Sequence, residues 1–412
     1  MRNQSQQAML DSFFASVHDT CTPVRQLSDR AFASARNHLH LPALTSLNDL
    51  VVRRADEAGL VERWCGLRLV AGDASVLMPA VRPCLQSRSA AAPDQRLFAL
   101  YLPGAELTLH ASVHNSTVAE RQMLLEALDL LGPDDVLVLD RGYPAAWLMA
   151  LLNARGIRFV MRYDGSGGNA AKRFLRSGAD QAVVTLNKPS RTEVQEWSCP
   201  SQAPQIRLVR QTAPNGLLRV LVTNLMDSQS YPCALFADLY HQRWRVEEAF
   251  KRIKLRLKLE AVSGLSQQAL IIDVAAKVLA DNITSLMCAA ADEHADLAAH
   301  SRKCNRSYAA AYMQRVLPRL ALLLGDLATT IHYAVTALAA NFQRFVPGRS
   351  QPRRTCSRGT PPLDAQPSVG VQTRRSHAGC RLAISQTALP PQAGESCSAG
   401  QCWRSKRQPP HA

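Results

Sequence analysis

The distribution of apolar and polar residues predicts a mixed α/β domain in the first half of the chain. Apolar runs alternate there with segments of helical periodicity, and the run at 136–140 is short and nearly all apolar, as expected of a strand that is buried on both faces. The predicted elements, in order, are a strand at residues 66–78, a hairpin at 96–113, a helix at 117–131, a strand at 136–140, a helix at 145–155 and a strand at 157–162. This order predicts a mixed sheet with flanking helices.

Three other regions surround or interrupt this sheet. Residues 1–66 have helical patterns, and helical patterns return from Pro232 to about residue 344. Between about residues 165 and 229, three strand patterns are joined by Pro, Gly, Ser and Asn, which predicts a mainly β insertion. We therefore divide the sequence into a helical N-terminal region (1–66), a domain that holds the sheet and its insertion (67–344) and a tail (345–412).

The charge of the chain favours a polyanionic partner, most simply nucleic acid. The formal net charge is +15 and the sequence pI is near 9.6. The N-terminal region is a candidate DNA-binding module, with a helical preface to the sheet as the alternative. The tail is rich in Pro, Arg, Ser, Gln and Gly, and carries a charge of +8 from ten Lys and Arg against two Asp and Glu. We expect it to be disordered, because it cannot bury enough apolar surface. It either binds DNA nonspecifically or is a read-through or frameshifted end without a role.

Cysteine spacing and apolar segments indicate a cytosolic protein. The chain has eleven cysteines without the paired spacing of a zinc site, and its first residues lack an apolar signal core. The apolar stretches at 269–291 and 320–340 are both interrupted by charged residues. We therefore predict packed helices there, and no membrane span.

The segment from Tyr240 to Lys254 is the most informative part of the sequence. On a helix of about 100° per residue, a stripe about 60° wide collects one carboxylate and three basic or phenolic residues: Tyr240, Arg243, Glu247 and Lys254. Beside the stripe lies an apolar face made of Val246, Ala249, Phe250, Ile253 and Leu257. This pattern predicts a site for an anionic substrate at the edge of a buried face; a solvated basic helix with incidental acids is the alternative.

The spacing Tyr-x2-Arg-x3-Glu-x6-Lys in this segment resembles the signature of the IS4 family of bacterial transposases. In that family the Glu is the third carboxylate of a DDE triad on an RNase H-like fold. The resemblance covers roughly residues 73–258 and implies that the predicted sheet is RNase H-like. It also implies that Glu247 is the third catalytic acid. The neighbouring Glu248 projects about 100° further round the helix, and we expect it to pair with Arg252 on the exposed side.

Two upstream carboxylates complete the triad that the resemblance implies. Asp73 lies within an apolar strand pattern, which suits a strand that opens onto a site better than a core; a turn at a strand end is the alternative. Asp140 ends the strand run, at the carboxyl end where α/β sheets bind ligands, and Asp-Arg-Gly-Tyr at 140–143 is similar to the family motif around the second acid. Asp134 and Asp135 precede that run and are predicted to be loop residues.

The three acids, Asp73, Asp140 and Glu247, are expected to converge on one edge of the sheet. Carboxylates that lie close together repel one another unless a divalent cation is bound, and oxygen ligands suit Mg²⁺ or Mn²⁺. Two such ions about 3.5–4 Å apart promote in-line phosphoryl displacement. We therefore predict these three residues as the catalytic residues and the metal ligands.

The basic residues of the segment are predicted to contact DNA. Tyr240, Arg243 and Lys254 are the predicted phosphate contacts around the scissile strand. Lys251 and Lys258 either extend this basic track or serve only the solubility of the helix.

Three tryptophans lie in or near the predicted site region. Trp197 is the only Trp of the insertion and is a candidate for holding a flipped base, a role that an aromatic residue has in some related transposases. Trp147 and Trp244 are predicted to pack against the fold.

The resemblance implies a cut-and-paste transposase of the bacterial cytoplasm, associated with the nucleoid. Such an enzyme binds the terminal inverted repeats of its own element as a homodimer, frees a 3′-hydroxyl by metal-dependent hydrolysis and joins that end to target DNA. Only 72 residues precede Asp73, fewer than expected for a full end-recognition domain. A DNA-binding remnant without catalysis, or an RNase H-like nuclease with another substrate, are the alternatives.

Overall fold

The computed structural model describes residues 5–78, 95–163, 168–212, 216–260 and 266–345. Apart from Phe345, the predicted basic tail lies outside these described residues. The N-terminal region is helical as predicted, with helices α1 (Gln6–Val17), α2 (Asp29–Arg36) and α3 (Leu41–Glu57). The side chain of Asn48 in α3 donates to the carbonyl oxygen of Thr108 at 3.1 Å, which ties this helix to the sheet domain.

One large mixed sheet forms the centre of the described residues. Its strands are β1 (Arg63–Trp64), β2 (Leu67–Leu77), β3 (Gln95–Leu102), β4 (Leu107–Asn115), β5 (Asp135–Leu139), β6 (Arg158–Arg162), β7 (Gln181–Thr185), β8 (Gln205–Thr212) and β9 (Leu218–Thr223). The spatial order is β4-β3-β2-β5-β6-β9-β8-β7, with β1 paired to β2. The strands β2, β3 and β4 are antiparallel neighbours, whereas β5 and β6 run parallel to β2. The predicted mixed sheet is therefore confirmed.

Helices lie between and after these strands. The segment predicted as a helix at 117–131 forms α4 (Glu120–Glu126) and a 3-10 turn (Leu128–Leu130), and α5 (Ala146–Ala154) connects β5 to β6. The insertion contains the three predicted strands and also two helices, α6 (Gly168–Ser177) and α7 (Arg191–Trp197). Because β9 pairs antiparallel with β6, the strands of the insertion extend the central sheet.

The C-terminal part of the described chain is mainly helical, as predicted. It contains α8 (Leu235–Gln242), α9 (Trp244–Lys251), a π-helical turn (Arg252–Arg256), α10 (Gln267–His294), α11 (Arg306–Ala321) and α12 (Leu327–Ala339). A short antiparallel pair that the sequence pattern does not reveal, β10 (Arg302–Cys304) with β11 (Phe342–Arg344), brackets α11 and α12. None of the helices within the described ranges is long and apolar enough to cross a membrane.

Asp135 differs from its prediction as a loop residue. It is the first residue of β5 and is only 2% exposed. The Arg68 guanidinium on β2 donates to its two carboxylate oxygens at 2.6 and 3.0 Å. The prediction was wrong because a cation on the neighbouring strand, 67 residues away in sequence, compensates the buried charge.

The packing of α9 on the sheet positions the site. The buried residues of α9 and the π-helical turn, Val246, Ala249, Phe250 and Ile253, share one core cluster with Ala71 of β2 and with Leu97, Ala99 and Tyr101 of β3. Each of the four is at most 4% exposed, which confirms the predicted apolar face. Leu257 is only half-buried, because it follows the end of the helical turn.

Candidate active site

The register of two parallel strands aligns the first two acids. Ala71 of β2 lies opposite Val138 of β5, so the same register two residues further on brings Asp73 level with Asp140. Neighbouring strands are about 4.8 Å apart. The third acid, Glu247, lies in the first turn of α9, which packs on β2 and β3. Three elements that are distant in sequence therefore bring Asp73, Asp140 and Glu247 to one edge of the sheet.

The three carboxylates surround one guanidinium, that of Arg243. Its Nη1 lies 3.4 Å from Asp73 Oδ2, and its Nη2 lies 3.3 Å from Glu247 Oε1 and 3.9 Å from Asp140 Oδ2. The Arg243 side chain is 5% exposed, whereas those of Asp73, Asp140 and Glu247 are 18, 35 and 27% exposed. The guanidinium is thus more deeply buried than the three carboxylates, which are partly exposed to solvent.

A tight turn of the backbone places Arg243 at this point. The predicted continuous helix is interrupted there, between α8 and α9, although Arg243 keeps right-handed helical dihedrals. Its backbone N–H donates to Tyr240 O, and Val246 N–H donates to Arg243 O, both at 3.2 Å across three residues. The helical phase is preserved through the interruption, so the predicted stripe forms.

Two other residues of the stripe also reach the acids or their strand. The hydroxyl of Tyr240, a residue that is 4% exposed, donates to Asp140 Oδ1 at 3.0 Å. Lys254 Nζ donates to Ser75 Oγ at 2.8 Å and also to the carbonyl oxygen of Val76. In this arrangement Tyr240 orients Asp140, and Lys254 holds the strand that carries Asp73.

Lys251 and Lys258 are both exposed. The helical argument for Lys258 was wrong, because the π-helical turn ends at Arg256 and Lys258 has a left-handed φ of 48°. The DNA-contact role of both residues stays a prediction.

The predicted pair between Glu248 and Arg252 was wrong, although Glu248 is exposed as expected. Arg252 instead points into the protein, where its Nη2 lies 2.8 Å from Asp281 of α10 and its Nη1 lies 3.2 Å from Glu106. Buried Asp281 and partly buried Glu106 bind Arg252 in place of an exposed partner on the same helix, since an exposed pair contributes little.

Burial changes the ionisation of Asp73. Desolvation raises the pKa of its carboxyl group to about 6, even though the charge of Arg243 and the N–H of Ala74 act to lower it. Because burial disfavours the ionised form of Asp73, a further cation bound next to this carboxylate would stabilise that form.

We expect Asp73→Asn to stabilise the metal-free protein at about pH 8 by about 1–3 kcal/mol. Because the folded pKa of Asp73 is about 6, above its ordinary value of 3.8, the native state binds more protons than the unfolded state between these values. The ionised side chain therefore destabilises the fold as the pH rises through this window, and the gain from Asn should shrink as the pH falls toward about 4. Urea unfolding of both proteins in EDTA across this range tests the prediction; a gain that does not depend on pH would contradict it.

Two residues near the acids were missed by the sequence analysis, Tyr143 and Glu120. Tyr143 is fully buried, and among the described residues its hydroxyl has no hydrogen-bond partner. Burial raises its pKa, and the charges of Glu120, Asp73 and Asp140 add to that rise. Glu120 begins α4, and its Oε2 lies 3.3 Å from where a Cβ on Gly142 would be. The Asp-Arg-Gly-Tyr motif contained Tyr143, but no local spacing indicated Glu120.

Arg121 holds the loop that follows Asp140. Its guanidinium donates to the carbonyl oxygens of Gly142 at 3.1 Å and Pro144 at 3.3 Å. The orientation of Asp140 therefore depends on two contacts: Arg121 holds the loop that follows it, and the Tyr240 hydroxyl donates to its carboxylate.

The donor chemistry of the three acids fits Mg²⁺ or Mn²⁺, since every donor is a carboxylate oxygen. Within the described part of the chain, however, no group of three or more His, Cys, Asp or Glu is gathered closely enough to hold an ion. The acids are instead spread around Arg243. For ions to bind between Asp73, Asp140 and Glu247, the guanidinium must leave the centre.

The prediction for Trp147 is confirmed, that for Trp244 is wrong, and the base-holding role of Trp197 stays a prediction. Trp147 is buried as predicted, at 3% exposed. Trp197 stacks on it with ring centroids 4.5 Å apart, so the face it turns to Trp147 is not open to a base. Trp244, predicted to pack against the fold, is 45% exposed.

Comparison with known proteins gives one family match, which covers slightly less than half of the chain. Residues 90–283 match the model of the family described as the transposase DDE domain. Asp140 and Glu247 lie inside this range, and Asp73 precedes it. No curated protein matches the chain. Among solved structures, it is similar to the piggyBac transposase in a synaptic complex with hairpin DNA, at 9% identity over 85% of this chain and 79% of that one, with a TM-score of 0.39.

Proposed function

We propose that this chain, which carries a transposase DDE domain over residues 90–283, is the transposase of an IS4-type insertion sequence. It cleaves DNA at the terminal inverted repeats of its element and transfers the freed 3′-hydroxyl into target DNA. The convergence of Asp73, Asp140 and Glu247 around Arg243 carries this proposal. Three acids from separate elements at one sheet edge suit metal-dependent phosphoryl transfer, whereas a core does not need a buried ion cluster for its stability.

The three acids are the residues that would hold Mg²⁺ or Mn²⁺ in this proposal. When bound, such ions stabilise the charge on the attacking and leaving oxygens of an in-line displacement. Tyr240 keeps Asp140 oriented through its hydrogen bond. Arg243, once displaced from the acids, grips the scissile phosphate with its planar fork of donors.

The basic residues beside the acids form the proposed DNA contacts. Lys254 holds the strand of Asp73 through Ser75 and adds positive charge next to the site. Lys251 and Lys258 are exposed and extend that charge outward. In the proposal, two copies of the chain bind the two ends of the element in the bacterial cytoplasm, with residues 67–344 as the catalytic domain and residues 1–66 contributing to end recognition.

Cleavage of a plasmid that carries the DNA flanking the gene tests the proposal. With Mg²⁺ or Mn²⁺, we expect nicks at a defined repeat boundary, and Asp140→Ala should remove them because one of the three acids is lost. Strand transfer of a precut end then separates a transposase from a nuclease. Binding to the flanks without cleavage in either protein would contradict catalysis and favour a DNA-binding remnant.

A further inference from the structure

A cavity of about 690 Å³ lies beside the candidate active site, on the side of the insertion. One wall is the segment Pro144–Ala146, directly after the Asp-Arg-Gly-Tyr turn, and Tyr163 at the end of β6 also lines it. The opposite wall comes from α6, with Lys172, Arg173 and Arg176. The cavity is therefore an open cleft between the segment after Asp140 and helix α6 of the insertion.

The cavity is electropositive. Its three cations are exposed, and no ion pair within the described ranges neutralises them. Among the described residues that line it, none is acidic. The first turn of α5 adds to this potential, because its N-cap residue, Ala145, has no side chain that could accept from the free N–H groups. An anionic ligand is the partner that this lining fits.

The cations are held by a rigid helix. Ala171 and Phe174 bury the other face of α6 in the main core cluster. The Arg210 guanidinium donates to the carbonyl oxygens of Phe174 at 3.3 Å, Leu175 at 3.0 Å and Ala179 at 2.8 Å. It thereby satisfies carbonyls at the end of the helix that would otherwise lack a partner. The backbone that carries the three cations is therefore fixed against the core.

The position of the cavity suggests which anion it takes. The strands β5 and β6 are parallel neighbours with Leu139 opposite Met161, so Asp140 and Tyr163 end adjacent strands at the same edge of the sheet. Adjacent strands are about 4.8 Å apart, which places the cavity within a few nucleotides of a phosphate at the acids. Lys172 and Arg176 are one helical turn apart, about 6 Å along the axis, and can contact neighbouring phosphates of one strand.

We propose that this cavity binds the backbone of the DNA strand that leaves the candidate active site, with Lys172, Arg173 and Arg176 as its phosphate contacts. The inference rests on the proposed function and adds a second DNA contact surface to it. The cations hold the strand on the insertion side, while the acids act on the scissile bond.

The salt dependence of DNA binding tests this surface. Duplexes from the DNA flanking the gene are titrated at several salt concentrations with the wild type, with Lys172→Gln/Arg173→Gln/Arg176→Gln, and with Arg155→Gln/Arg302→Gln/Arg315→Gln. The last variant removes the same charge from exposed positions outside the cavity. Each lost phosphate contact lowers the slope of log K against log salt by about 0.7–0.9. We expect a loss of about 2–3 in slope for the cavity variant, well above that of the control.

A second readout ties the effect to particular phosphates. Neutral methylphosphonates within a few nucleotides of the cleaved bond should weaken binding by the wild type and have no further effect on the cavity variant. Lys172→Arg/Arg173→Lys/Arg176→Lys, which keeps the charges, should restore most of the slope.

The outcomes separate the two proposals. Equal slopes for the cavity and control variants, in a wild type that cleaves the flanking DNA, would overturn the cavity proposal alone. A wild type that neither binds nor cleaves that DNA would overturn the proposed function, and the cavity proposal with it.

Discussion

Glu247→Gln is expected to abolish metal-dependent cleavage and to leave DNA binding nearly unchanged. The substitution keeps the size of the side chain and removes the negative charge that faces Arg243 and the other two acids. Loss of one carboxylate from a metal set removes several kcal/mol of transition-state stabilisation, so the single-turnover cleavage rate should fall by about a thousandfold or more. Rates are measured on the flanking DNA, and binding is measured separately in EDTA.

Glu248→Gln is the matched control for this prediction. Glu248 is the next residue on α9, is exposed, and has no bond to Arg252, whose guanidinium is bound to Asp281 and Glu106. Its substitution should change cleavage by less than about twofold, since exposed substitutions away from such contacts are within about 0.5 kcal/mol. A fully active Glu247→Gln protein, or equal losses in both variants, would rule out the assignment of Glu247 as the third acid.

The sheet could be predicted because its signals are local. The strand β5, which ends one residue before Asp140, is buried along its whole length, and its residues 136–139 form an apolar run. The stripe of Tyr240, Arg243 and Glu247 could be predicted for a related reason. Helical periodicity fixes the direction of side chains, and the tight turn at Arg243 does not change that phase.

The burial of a side chain, and its partners from distant parts of the sequence, could not be predicted in the same way. Periodicity places Arg243 on a face, but it does not show that the guanidinium lies buried beneath three acids. Arg252 lies 29 residues from Asp281 and 146 residues from Glu106 in sequence, so its partners are set by tertiary packing alone. Glu120 reaches the acids only because α4 packs beside the loop after Asp140. In each case the missing information is the position of another element.

Arg243→Ala is expected to have the largest effect on stability. The guanidinium compensates three carboxylates, and its removal leaves them uncompensated while Asp73 is already disfavoured by burial. Breaking a buried ion pair in this way destabilises a protein by about 3–5 kcal/mol. We expect a loss of this size in the free energy of unfolding in EDTA, measured with urea. Arg245→Ala, which loses one hydrogen bond to the Pro103 carbonyl oxygen at 2.7 Å, should lose only about 0.5–1.5 kcal/mol.

The effect of Mg²⁺ on the stability of Arg243→Ala shows whether the acids around Arg243 bind metal. In the wild type an ion must displace the guanidinium before it can reach the acids, whereas in Arg243→Ala the acids are free of that competitor. Mg²⁺ should therefore restore more stability to Arg243→Ala than it adds to the wild type or to Arg245→Ala, because an ion that binds only the folded state stabilises by mass action. A loss in Arg243→Ala that Mg²⁺ does not reduce would mean that the arginine is a structural cation and that the acids around it do not bind metal. If Mg²⁺ does reduce the loss, the positive charge of Arg243 both stabilises the ion-free fold and opposes the binding of Mg²⁺ to the acids. The difference between the Mg²⁺ responses of Arg243→Ala and the wild type then measures how strongly Arg243 opposes that binding.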